Sequence, residues 1–287
     1  MNKSSVVFIY VSHHSEPYIS RFAEYHRNEF SDLVYVVNSC PTTLKINNDM
    51  KFKVIEAQKN IGFAAANNLA INKALKDLNT KLFVLINPDV YLPQNWFSSI
   101  INQIDNTTKQ TGVFTVPLLG YDFKKDMPTE KIDSLGIYST WYGRWFDCLQ
   151  GETVSLLPKY KCIYEIPAAC GALMILRREV IDELLATDGF VFNESLFMYK
   201  EDIELSIRIR QLGKKTMMIP SCPAYHCRGW ANNRANSPYW ARELSARNEL
   251  KIHLKFHWAY LPYSITKYIY VRIFERMVLA LSILIER

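Results

Sequence analysis

Short apolar runs alternate with helical stretches through the first half of the chain, and this alternation limits the fold more than any other feature. Residues 6–11 read as a buried strand, 16–29 as a helix, 33–37 as a second strand and 52–56 as a third, edge-like strand. Residues 63–78 carry Ala, Leu and Ile at helical spacing, 81–86 form another strand that stops at Asn87-Pro88-Asp89, and 93–104 look helical. Strands separated by helix-length crossovers imply a mostly parallel sheet covered by helices on both faces. In such α/β sheets ligands bind beyond the carboxyl ends of the strands, so the loops after Val11, Val37 and Ile86 are the places to look.

The second half is less regular. Residues 112–116 and 164–166 read as strands and 168–176 as a run of small and apolar residues. Residues 178–185 and 201–212 read as helices, the latter ended by Gly213, with a short strand over 216–219 and a longer helix over 241–257. Residues 120–161 read as an aromatic, loop-rich segment containing Trp141, Tyr142, Trp145 and Phe146. In the last stretch Ile265, Ile269, Ile273, Met277, Leu281 and Leu284 fall near one helical face, with Lys267, Arg272, Glu275, Arg276 and Glu286 on the other. An amphipathic helix of this kind either lies in a membrane interface or packs on protein.

Composition narrows the class of function. The chain of 287 residues has a formal net charge of +6, compatible with phosphate or anionic surfaces, but no concentrated Lys/Arg stripe of the kind nucleic-acid binders carry, so no nucleic-acid partner is expected. No apolar run resembles a secretory h-region or a spanning helix, which sets a cytoplasmic expectation. The six cysteines include no CxxC pair, and the adjacent His226-Cys227 is poor spacing for two ligands of one tetrahedral zinc.

Four constellations carry the chemistry. In Asn87-Pro88-Asp89 an apolar strand delivers a carboxylate to its end, and Pro88 stops the strand; one carboxylate suits a cation already held by phosphate oxygens, although the same tripeptide makes a good turn. The run Asn60-Ile61-Gly62-Phe63-Ala64-Ala65-Ala66-Asn67-Asn68 permits a tight turn and a close approach, and its Asn side chains suit a base or ribose; helix capping by Asn60 is the simpler reading. Glu201, Asp202 and Glu204 sit at a helix start, where the dipole favours acids, yet one of them aimed into a cleft would serve as a general base. Glu204 is spaced i,i+4 from Arg208 and reads as an ion-pair partner. His226 follows the late strand and fits a metal or diphosphate contact, or a structural hydrogen bond.

In this order, the stretches at 6–12, 34–39, 60–71, 82–92, 167–180, 190–214 and 225–229, together with Arg247-Asn248, resemble the inverting family 2 glycosyltransferases of the GT-A fold, most closely their rhamnosyltransferase-like branch. The resemblance covers residues 5–255 and implies an α/β, Rossmann-like central sheet flanked by helices, with a C-terminal helical extension. It implies a GT-A domain over 1–255, divided into a nucleotide-sugar half (1–118) and an acceptor half (119–255), followed by a helical tail over 256–287. Ser12, Asn38, Asn60, Gly62, Asn67 and Asn87 map near the nucleotide-diphosphate sugar donor. Asp89 maps to the terminal acid of a DxD-type motif that binds Mg²⁺ or Mn²⁺, and His226 to a further metal contact. Cys170 and Gly171 map to the acceptor-side wall between donor and acceptor, Asp202 to the catalytic base, and Glu201 beside it to a second catalytic carboxylate on the acceptor side. The implied acceptor is a glycan on a lipid carrier at the inner membrane face, with dTDP-rhamnose as donor. The sequence departs from the branch at Ser12-His13-His14 and at Asn38. A nucleotidyltransferase is the rival enzyme, but the loop after the first strand has neither its glycine nor its lysine. A non-catalytic carbohydrate-binding module would not need Asp89 and Asp202 together.

Overall fold

The computed structural model describes residues 5–25, 34–46, 52–158, 162–227 and 237–278. Its first half follows the expected alternation: β1 (Val6–Ser12), α1 (Glu16–Tyr25), β2 (Val34–Asn38), β3 (Phe52–Glu56), α2 (Gly62–Ala74), β4 (Leu82–Ile86), β5 (Val90–Tyr91), α3 (Trp96–Asp105) and β6 (Thr111–Thr115). Then come β7 (Leu118–Asp122), β8 (Met127–Ser134), β9 (Ile137–Ser139), β10 (Trp145–Asp147), β11 (Tyr164–Glu165) and β12 (Leu173–Arg177). The chain continues with α4 (Arg178–Asp188), α5 (Glu201–Gln211), β13 (Lys215–Met218), β14 (Ala224–His226), α6 (Tyr239–Phe256) and α7 (Leu261–Ile269). The end of the first expected helix, residue 33 and the tail beyond 278 lie outside the described residues.

The main sheet has eight strands in the order β11-β13-β6-β12-β4-β1-β2-β3. β1 runs parallel to β2 and β4, while β12 is wedged antiparallel between β4 and β6. Every residue of β2 and β4 is buried, because strands covered on both faces read as continuous apolar runs rather than alternating ones. Their side chains still divide with period two. Leu82, Val84 and Ile86 enter a core with Trp96, Phe97 and Ile100 of α3 and Ile203 and Ile207 of α5. Phe83 and Leu85 enter the opposite core with Ala64, Ala66, Ala70 and Ile71 of α2 and Val180 and Ile181 of α4. The small residues of α2 let that helix lie close to the sheet. The strand order reverses direction at β1 and β4, so the crevice beyond their carboxyl ends is where this topology places a ligand.

The aromatic segment read as loop-rich keeps turns over much of its described length but also carries the strands β8, β9 and β10. β7 and β8 pair antiparallel and, with β14 and β5, make a second sheet of four strands in the order β5-β14-β7-β8, and β9 pairs with β10. The hairpin between β7 and β8 is tied by the Asp122 Oδ1, which accepts the N–H groups of Lys124 and Lys125, and it turns through Asp126 at φ 56°. β8 escaped the sequence reading because its first five residues, Met-Pro-Thr-Glu-Lys, face solvent or lie half-buried and show no apolar alternation.

At the C-terminal end of the described chain, α7, continued by further helical turns through residue 278, returns along α6. Ser264 and Val271 are buried, Lys267 Nζ pairs with Glu249, and Arg242 Nε meets Glu275 Oε2 at 2.6 Å. The expected apolar face, Ile265, Ile269, Ile273 and Met277, is therefore turned outward.

Candidate active site

The first cluster grows from the end of β4. Asn87 donates its backbone N–H to Ala172 O at 2.9 Å and accepts from Val90 N–H at 3.0 Å, so Asn87-Pro88-Asp89-Val90 turns sharply beyond the sheet. β14 pairs with β5 so that His226 stands opposite Val90, and Cys227 N–H donates to Asp89 O at 2.9 Å. This pairing places His226 Nε2 3.3 Å from Asp89 Oδ1. On its other side, Nδ1 lies 2.8 Å from the buried Asp133 Oδ2 of β8. Burial alone would push this imidazole down; Asp89 and Asp133 outweigh it and raise it to about 10.

A carboxylate and an imidazole whose far nitrogen is fixed by a second, buried carboxylate form a donor set that fits a divalent cation. Asp89 and His226 Nε2 would be the ligands, and Asp133 would set the imidazole's orientation. The mixed oxygen and nitrogen donors suit Mn²⁺ better than Mg²⁺, which favours oxygen ligands. Sequence reasoning missed Asp133: it sits in the segment read as loop, in no motif, and only the strand order β14-β7-β8 carries it to His226.

The second cluster is at the start of α5. Asp202 is half-buried, its Oδ2 accepting Gly171 N–H at 2.9 Å and its Oδ1 accepting Ile203 N–H at 2.8 Å. A Cβ on Gly171 would lie 3.3 Å from Asp202 Oδ2, so the glycine lets the wall touch the carboxylate. Loss of water raises the Asp202 carboxyl above its ordinary range, against the pull of the Gly171 amide, Lys200 and the Ile203 amide. Glu201 is buried beside it. Desolvation, reinforced by Asp202, raises Glu201 well above its usual range, and its Oε2 has no hydrogen-bond partner among the described residues. Cys170 is buried in the wall and its carbonyl closes a turn onto Leu173 N–H. Glu204 pairs with Arg208 at 2.9 Å, as its spacing implied.

The two clusters meet through the β4–β12 pairing. Ala172, which receives the Asn87 N–H, follows Gly171, which donates to Asp202. The metal-type pair and the raised carboxylate thus lie together beyond the carboxyl end of β4, at the middle of the main sheet.

Other expected donor contacts have local duties. Asn38 is fully buried and gives its amide to Thr42 O and Glu56 Oε2. Ser12 is also fully buried, and its Oγ and Asn38 Oδ1 find no partner among the described residues. Asn60 Oδ1 accepts Gly62 N–H at 3.0 Å in a turn just ahead of α2, whose cap position is Ile61 rather than the expected Asn60. Asn67 donates to Phe63 O of its own helix. Gly62, at φ 80°, lies under Phe197: a Cβ there would be 2.6 Å from Phe197 O.

A sequence model of glycosyl transferase family 2 matches residues 16–185, more than half of the chain. The chain belongs to this family. No curated protein matches it. Among solved structures, the chain is similar to GalNAc-T7, crystallised with UDP, GalNAc and Mn²⁺, at a TM-score of 0.61 and 16% identity over 87% of this chain and 48% of that one. TarS of S. aureus, residues 1–349, matches at a TM-score of 0.52 and 16% identity over 93% of this chain and 71% of that one. At these identities the likeness shows the GT-A fold. This chain spans about half the length of GalNAc-T7.

Proposed function

We propose that this family 2 chain is an inverting glycosyltransferase in which Asp202 is the general base and Asp89 with His226 holds a divalent cation on the donor diphosphate. The observation that carries the reading is the Asp202 carboxylate: half-buried, raised by desolvation, and fixed by the Gly171 amide at 2.9 Å beside the turn that carries Asp89. A carboxylate raised toward neutrality is a better proton acceptor for a sugar hydroxyl than an ordinary surface Asp.

Asp89 and His226 would hold the divalent cation, which when bound would supply Lewis-acid neutralisation of the charge on the departing nucleoside diphosphate. Asp133 holds the His226 ring in place. Asp202 takes the proton from the acceptor hydroxyl, whose oxygen bonds to the anomeric carbon on the face opposite the diphosphate. The bond from that carbon to the diphosphate oxygen breaks, and the configuration inverts. Glu201 lines the acceptor side. β9 also borders the wall, with Ile137 N–H donating to Ala168 O at 2.8 Å, so the segment from 136 to 147 is placed to select the acceptor.

The motif resemblance favours dTDP-rhamnose as donor and a lipid-linked glycan of bacterial surface polysaccharide, an O-antigen or capsule, as acceptor. The likeness to a structure holding UDP, GalNAc and Mn²⁺ favours a UDP-hexose or UDP-N-acetylhexosamine as the second reading. The outward apolar face of α7, edged by the exposed Arg272, Arg276 and Lys255, supports peripheral attachment to the cytoplasmic face of an anionic inner membrane.

Calorimetry with Mn²⁺ and a panel of dTDP and UDP ligands, followed by donor turnover, tests the assignment. Asp202→Asn is expected to keep wild-type donor affinity and to lose about 10²–10⁴-fold in turnover. Asp89→Ala is expected to lose the Mn²⁺-dependent part of donor binding. Loss of donor binding in the first variant, or unchanged Mn²⁺ dependence in the second, overturns the roles given to them.

A further inference from the structure

The loops that follow β1 and β2 carry a second ligand cluster that the reaction above does not use. His13, His14 and Cys40 each present one ligand atom, and these atoms lie within 4.8 Å of one another. It is the one grouping of three or more His, Cys, Asp or Glu with this geometry among the described residues. Cys40 is fully buried beneath the two exposed histidines, whose rings lie 4.7 Å apart.

The loops are shaped around the sulfur. His14 sits at φ 56°, a left-handed conformation that is uncommon for a residue other than glycine. Its backbone N–H points at Cys40 Sγ from 3.3 Å. His13 Nδ1 lies 3.4 Å from the same sulfur and 2.9 Å from Ser39 O. Donation from Nδ1–H to the Ser39 carbonyl orients the His13 ring and leaves Nε2 as its ligating nitrogen.

We infer that His13, His14 and Cys40 form a binding site for a borderline-soft divalent cation, of which Zn²⁺ is the type, separate from the Asp89–His226 site. Two imidazoles and a thiolate select such ions over Mg²⁺ and Mn²⁺. Bonds of about 2.0 Å to nitrogen and about 2.3 Å to sulfur require only that the side chains draw together. Three protein ligands leave the fourth tetrahedral position to water or an exogenous oxygen. On binding, Cys40 gives up its thiol proton to solvent, so affinity rises with pH. The ion would tie the β1 loop to the β2 loop. Ser39 in the latter accepts Ile61 N–H at 3.0 Å, so occupancy also bears on the turn into α2.

Titration of the full chain with Co²⁺ tests this, because cobalt bound to a thiolate gives a charge-transfer absorption that oxygen and nitrogen ligands alone do not. The expected result is one equivalent of Co²⁺ bound with this band, which Zn²⁺ displaces. Cys40→Ser is expected to abolish the band. His13→Ala and His14→Ala, at exposed positions that leave the core untouched, are each expected to weaken Co²⁺ at least tenfold. Asp89→Ala is expected to keep the band. Absence of the band in the wild-type chain, its survival in Cys40→Ser, or unchanged Co²⁺ affinity in both histidine variants overturns the site.

Discussion

Two carboxylates side by side at the start of α5 set a conflict between stability and reactivity. Glu201 is buried and raised well above its ordinary range by desolvation and by Asp202; Asp202 is raised by desolvation. A carboxyl raised on folding binds its proton more tightly in the native state. Its stabilising share is present below the unfolded carboxylate range, about 4, and is lost as pH rises through the folded value. Replacing Glu201 by Gln removes an ionisation that folding penalises. Glu201→Gln is therefore expected to raise Tm at pH 8 more than at pH 5, read by thermal melts across pH; an equal change at both would show that Glu201 ionises freely in the folded chain. Asp133 makes a different claim. It touches neither donor nor acceptor in the proposed reaction and acts through His226, so Asp133→Ala is expected to weaken Mn²⁺ binding about 10–100-fold. Asp133→Asn retains an acceptor for Nδ1–H and is expected to recover most of that loss in calorimetry. Equal weakening in both variants would point to lost packing rather than lost orientation. Asp89, His226 and Asp202 were legible because their residue types recur at set places along a chain; Asp133 was not, because its role arises only from the strand order.

Among the elements, the segment that leads into α5 gathers three of the positive-φ residues of the described chain within four positions. Phe197, Tyr199 and Lys200 all have positive φ, at 62°, 69° and 74°. Met198 N–H donates to Leu196 O at 2.7 Å, which makes Phe197 the centre of a γ-turn, a rare and strained form at positive φ. Such a conformation persists only where its surroundings over-determine it. Here they do so from two helices. The buried Asn248 of α6 donates its amide to Leu196, Met198 and Tyr199 carbonyls at 2.7, 2.9 and 2.9 Å. From α2, Ala64 N–H donates to Phe197 O at 3.2 Å, and Gly62 leaves the space that Phe197 fills. Gly62 was marked in the sequence as a tight turn, and the Arg247-Asn248 pair as part of the resemblance; that both converge on one carbonyl-rich loop needed the tertiary structure. Gly62→Ala meets both an unfavourable φ, about 1–2 kcal/mol on its own, and overlap with Phe197 O. It is expected to lower Tm and to reduce turnover more than donor affinity, since the loop it disturbs delivers Asp202. A variant with lowered Tm but unchanged turnover would separate this loop from the base.

At the scale of the whole molecule, the central sheet was the most legible feature. The runs at β1, β2 and β4 were apolar, short and well punctuated, whereas β8 was too polar to announce a strand. The C-terminal stripe was legible as a pattern but not as a direction. Its spacing implied one apolar face, and α7 turns that face outward while Lys267 and Glu275 turn toward α6 and pair with Glu249 and Arg242. Tyr270, Phe274 and Val278 extend the outward patch, and Trp258 nearby is 79% exposed. A helical stretch that turns Lys267 and Glu275 to the protein and its apolar side chains to solvent is oriented for an interface that is itself apolar. No helix among the described residues is long and apolar enough to cross a membrane, so contact would be peripheral. The formal net charge of +6 and the exposed Arg272 and Arg276 favour an anionic surface. The full chain is expected to float with vesicles rich in anionic lipid and to remain behind with neutral ones, with binding falling as salt is raised. Ile269→Glu with Ile273→Glu places charge on the outward face without entering a core, and is expected to abolish flotation while leaving turnover on a soluble acceptor unchanged. Flotation that survives this substitution would move the attachment away from α7, and dimerisation of the wild-type chain abolished by the same variant would reassign the face to a second copy of the protein.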